Sequence, residues 1–131
     1  MMLRLARSRL GSYLVGWIFA QLSFILPVKR LRDTRTLLAF YHPRPAYLIH
    51  ILIVPKKAIA GISDLTAEEN GLMVEILQCA QSLVEEFGLE QVGCQLVLNG
   101  GAFQDVPQLH FHLVSDQHAV IEQPDRIADR D

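Results

Sequence analysis

Hydrophobic and polar positions follow two different periods along this chain. Leu10–Val28, "LGSYLVGWIFAQLSFILPV", holds 19 residues and no charge, with Arg4, Arg7 and Arg9 before it and Lys29, Arg30 and Arg32 after it. Ser12, Gly16, Ala20 and Ser23 recur at helical spacing and draw a small stripe down one side. Residues 1–26 therefore predict an apolar helix, which Pro27 ends by interrupting the backbone ladder. The helix either packs its bulky face on the protein or contacts a bilayer. The run is borderline for a span, which needs about 20 apolar residues. No small-x-small site ends it, so it does not read as a signal peptide.

Two strand-length runs follow, "TLLAFY" (36–41) and "YLIHILIV" (47–54), divided by Pro43 and Pro45. The second is apolar on both faces and predicts a central strand. Residues 64–90 then switch to helical period. Thr66 and Glu69 form a T-x-x-E capping box, Leu72, Ile76, Leu83 and Phe87 share one face, and Gly88 suits a C-terminal cap. "VGCQLVL" (92–98) and "LHFHLV" (109–114) read as strands, with a turn at Asn99-Gly100-Gly101. The tail 117–131 is polar. The order of elements predicts an α+β domain over 27–116, with a mostly antiparallel sheet.

Composition adds three constraints. Length fits one domain with one core, and half the residues are hydrophobic, which excludes a disordered chain. Cys79 and Cys94 show no CxxC spacing, so two reduced thiols in a cytoplasmic protein are expected. The net charge of −2 conceals ten Lys or Arg against one acid in residues 1–57, and two Arg against thirteen acids in 58–131. Either a basic face awaits an anionic partner, or two solvated faces meet across the fold or a dimer.

The chemistry gathers in "PQLHFHLV" (107–114). Strand alternation puts Gln108, His110 and His112 on one face and Leu109, Phe111 and Leu113 on the other. His50 interrupts the apolar central strand, and a buried imidazole needs a hydrogen-bond partner. Three readings stay open on spacing alone. One imidazole could attack phosphorus while another donates to the phosphate, with the Asn99-Gly100-Gly101 turn offering N–H groups. His110 and His112 could instead bind a metal with His50 and with Asp105 or Asp116. Or the stripe is a structural polar ladder.

"QLHFHLV" resembles the H-φ-H-φ-H-φ-φ motif of the histidine-triad (HIT) superfamily, with Gln in the first place. "HILIVPKK" (50–57) and the preceding "LLAFYHPRPAYLIH" (37–50) resemble the family's flanking strands. The helix, the strand ending in Asn99 and "QDV" (104–106) follow in the expected order. The resemblance implies a five-stranded antiparallel sheet with an N-terminal helix and one long central helix, usually in a homodimer. It implies nucleotide or nucleoside phosphate as substrate, with no metal, no cofactor and no nucleic-acid partner. In the Hint-like branch His110 would attack the α-phosphate and His112 would contact it. His50 would support the cluster, Asn99 and Gln104 would line the phosphate pocket, and Phe40 would lie by the base. Three positions depart from the pattern. Gln108 cannot titrate. His42 stands where the family commonly has an acid for the ribose hydroxyls. Asp105 stands where Ser or Thr usually touches the phosphate. The alternative expectation is therefore a catalytically weak nucleotide-binding module. A family match from Pro27 onward favours a packed helix over a span, with Arg4, Arg7 and Arg9 left for peripheral lipid contact.

Overall fold

The computed structural model describes residues 29–117. Its organising element is β3 (Ile49–Pro55), seven residues all buried. It carries apolar side chains on both faces, so it needs cover on both and takes the middle of the sheet. β2 (Leu37–Tyr41) pairs with it antiparallel, with Ala39 opposite Ile53 and Phe40 opposite Leu52. On its other side lies β5 (Phe111–Ser115), with Leu52 opposite His112. β4 (Gln95–Leu98) pairs with β5 and β1 (Arg30–Asp33) with β2, giving the order β1-β2-β3-β5-β4, antiparallel throughout. The α+β class, the five strands and the central position of the His50 strand all agree with expectation.

β1 has no counterpart in the hydrophobic pattern. "RLRD" packs Leu31 on the edge of the core and is otherwise held by polar side chains. Arg32 donates through Nε to Ser82 Oγ (3.2 Å) and through Nη1 to Glu86 Oε1 (3.0 Å). Lys56 Nζ closes on Asp33 Oδ1 at 2.6 Å. The register shifts between Arg30 and Arg32, a bulge that suits an edge strand.

α1 (Asn70–Glu86) lays Ile76, Ala80 and Leu83 on the face formed by Leu37, Ala39, Ile49, Ile51, Ile53 and Leu113. The opposite face holds a second cluster, Leu38, Phe40, Leu52 and Val54. The capping box forms one turn ahead of α1, around a 3-10 turn at Ala67–Glu69. Glu68 N donates to Thr66 Oγ1 (3.2 Å), and Thr66 N donates to Glu69 Oε2 (2.9 Å). Bonds from the Thr66 hydroxyl and then its amide hold the Glu69 carboxyl down to about 2. Thr66→Ala removes the cap, and a loss of about 1 kcal/mol in urea unfolding is expected. Gly88 adopts the left-handed conformation at φ 63°, which terminates α1 as the sequence predicts.

Three strands start later than the pattern by two residues or more, and the first is β3, at Ile49 instead of 47. Residues Leu89–Val92 form a short helix, α2, so β4 starts only at Gln95. Leu89 is fully buried from that helix. β5 starts at Phe111, two residues later than expected. The apolar helix at 1–26 and all but the first residue of the tail at 117–131 lie outside the described residues. Among the described residues no helix is long and apolar enough to cross a membrane.

Candidate functional site

Four imidazoles meet on the Leu52 face of the sheet. His112 faces Leu52 on one side and Val97 on the other in the strand register. His50 pairs with Val114, so it shares that face two residues along β3. Its ring centroid lies 5.1 Å from that of His112, and His110 lies 5.0 Å from His112. His42, just past β2, stacks on His50 at 4.3 Å with an interplanar angle of 28°. Tyr47 meets His50 edge-on at 5.5 Å.

The hydrogen bonds settle which ring nitrogens carry protons. Ala46 N–H donates to His50 Nδ1 at 3.1 Å, so a neutral His50 carries its proton on Nε2. That Nε2 lies 2.8 Å from His112 Nδ1, which must accept. His112 is then protonated at Nε2 and presents a donor. His110 runs the other way. Its Nδ1 lies 2.6 Å from the Gln108 carbonyl and can only donate there, which leaves the lone pair on Nε2. A main-chain amide thus sets a donor at His112, and a main-chain carbonyl sets a lone pair at His110. Neither the Ala46 amide nor the Gln108 carbonyl was legible in the sequence. The Pro43–Pro45 turn marks the neighbourhood of the first.

Burial disfavours the charged form of His112, His50 and His42. His112 is lowered to about 4, first by desolvation and then by His110, His50 and His42, with Asp105 pulling weakly the other way. His50 is lowered by desolvation and by His42. His42 is lowered by desolvation and by His110, against Asp105. These depressed values link stability to pH. The unfolded chain takes up protons below about 6.5, where folded His112 still resists them. The stability from His112 is therefore fully present above that value and is lost as pH falls towards about 4. Thermal midpoints measured from neutral to acid pH should fall over that window, and His112→Asn should flatten part of the fall.

His42, His50 and His112 each place a ring nitrogen within 4.8 Å of the others, close enough to share a metal ion. Their tautomers work against it. Arg44 N–H donates to His42 Nδ1 (2.9 Å), as Ala46 N–H does to His50. Ligation through Nε2 would require an N–H on each Nδ1, facing a backbone N–H. The set offers protons and suits an acceptor such as a phosphate oxygen.

The remaining predicted residues divide. Phe40 lies on the histidine face, in register with Leu52 and hence His112. It is 3% exposed, in the cluster with Leu38, Leu52 and Val54. Asn99 continues the Val97 side of β4 one residue past the strand. Asp105 is exposed and acts on His42 and His112 through charge. Gln104 spends its amide on the main chain, donating to Ala60 O (2.6 Å) and Val106 O (2.9 Å). Its Oε1 would stand 2.9 Å from a Cβ at Gly61. It is a loop clamp rather than a lining donor. Gln108 departs from the expected stripe. The alternation stops before β5, and its side chain is fully buried, donating to Pro55 O (3.1 Å) and Lys57 O (2.8 Å).

A family model described as HIT domain matches residues 26–119. A HIT-like protein of Helicobacter pylori is 32% identical over 96 residues, 71% of this chain and 89% of that one. The crystal structure of a HIT family hydrolase from Legionella pneumophila Philadelphia 1 superposes with a TM-score of 0.71 at 33% identity, covering 76% of this chain and 89% of that one. A histidine triad protein from Clostridium difficile gives a TM-score of 0.70 at 27% identity over 76% of this chain and 90% of its own.

Proposed function

This chain belongs to the HIT family, and from that premise we propose that it is a nucleotidyl hydrolase or transferase of the Hint-like branch. Its substrate is a nucleoside phosphoramidate or related phosphate ester, cleaved at the α-phosphate. One observation carries the reading: the 2.6 Å bond from His110 Nδ1 to the Gln108 carbonyl leaves the Nε2 lone pair unused by it, on a ring beside a donor on His112.

His110 Nε2 forms the bond to phosphorus as the bond to the leaving group breaks. The leaving group takes a proton from solvent water as it departs, and the enzyme holds a nucleotidyl-histidine. Charge building on the phosphate oxygens meets His112 Nε2–H, which is already oriented by His50 and so needs no reorganisation. Water then attacks the same phosphorus, releases the nucleotide and returns His110.

The test is incubation with an α-labelled adenosine phosphoramidate followed by mapping of acid-labile label. Label on His110 in the wild type, absent from His110→Ala, is the expected result. Saturable binding without label on either protein would favour a binding module instead. Asp105 gives that alternative its footing, since a carboxylate close enough to act on His42 and His112 also opposes a phosphate there.

A further inference from the structure

Gln108 is fully buried, yet its Oε1 has no hydrogen-bond partner among the described residues. Buried polar atoms are seldom left unpaired without a reason. The amide cannot be turned over to relieve it, because Nε2 faces two carbonyl oxygens, Pro55 O at 3.1 Å and Lys57 O at 2.8 Å. Reversing the group would set Oε1 against both. The side chain therefore forgoes one bond to make two from a single nitrogen. Those two bonds tie the end of β3 to the residue whose own carbonyl receives His110 Nδ1–H.

We propose that Gln108 is a positioning residue for His110: its amide pins the main chain at 108 against Pro55 and Lys57, and so holds the carbonyl that fixes the His110 tautomer. The claim rests on the nucleophilic role proposed for His110, but it concerns the free protein. A carboxamide carries two donors on one nitrogen at every pH. A neutral imidazole carries one donor in all, and gains a second only by taking a charge in a buried place. Glutamine thus makes the alignment of His110 independent of any titration at position 108. It follows that Gln108 is not a histidine that has lost a proton-transfer role. It does a different task, and Gln108→His gives no gain in turnover.

Histidine ring 15N NMR tests this without substrate. At about pH 8, wild-type His110 is expected almost wholly in the Nδ1-protonated form. Gln108→Met keeps the length and apolar stem and removes both donors. His110 then shifts towards the Nε2-protonated form that imidazole favours in water. Turnover of the phosphoramidate falls about tenfold in kcat, with KM held within about twofold. Gln108→Glu, whose carboxylate offers no donor, gives the same shift at about pH 8. A wild-type His110 tautomer in Gln108→Met overturns the proposal. Should that variant not fold, a His110 tautomer in Gln108→Glu that matches wild type at about pH 8 overturns it equally. Lack of turnover by the wild type would count against the enzymatic reading alone and leave the NMR result standing.

Discussion

His110→Ala is expected to lower turnover of a nucleoside phosphoramidate by at least ~10³-fold while leaving nucleotide affinity within about threefold. The asymmetry follows from geometry. His110 holds a lone pair on Nε2, so in the proposed mechanism its loss removes the atom that would bond to phosphorus. The donor at His112 does not pass through His110 and remains to bind. Single-turnover kinetics with a fluorogenic adenosine phosphoramidate measure the first quantity, and calorimetric titration with the nucleotide measures the second. Equal losses in both would mean that His110 holds substrate without attacking it. Turnover near the wild-type rate would remove the covalent mechanism altogether.

Ile51→Ala is expected to destabilise the fold by about 2–5 kcal/mol, a fall of roughly 10–20 °C in thermal midpoint. Ile51 is 0% exposed and sits in the central strand between Tyr41 on β2 and Leu113 on β5. It belongs to the cluster that receives Ile76, Ala80 and Leu83 from α1. Neighbours fixed in a hydrogen-bonded sheet cannot collapse into the space, so the cavity term adds to the lost transfer energy. Urea unfolding decides the matter. A loss below about 1 kcal/mol would mean that α1 is free to settle onto the sheet. The histidine relay lies on the other face, so activity below the new midpoint should survive.

Much of the fold was legible because it rests on burial. The double-sided apolar run at 47–54 demanded a central strand, and Thr66, Glu69 and Gly88 marked the ends of the helical region. β1 was not legible, because Arg32 and Asp33 hold it through Ser82, Glu86 and Lys56, which are distant in sequence. The site divides in the same way. Histidine spacing named the rings, and the resemblance ordered their roles. Proton placement depends on the Ala46 amide and the Gln108 carbonyl, main-chain groups that every residue but proline possesses in full. Alternation failed at Gln108 because the chain is not yet a strand there, and a side chain assigned to the stripe points instead to two carbonyls.

β3 is covered on both faces and flanked by β2 and β5, and His50 is its second residue. Amide protons in such a strand reach solvent only when the whole domain opens, so their exchange reports global unfolding rather than local breathing. The tautomer relay runs from the Ala46 amide into that segment through His50. A partially melted molecule with fraying edges at β1 or β4 would still carry an ordered His50–His112 pair. Catalytic competence and hydrogen-exchange protection of β3 should therefore vanish together, as one cooperative event, while the edges come and go without consequence for the chemistry.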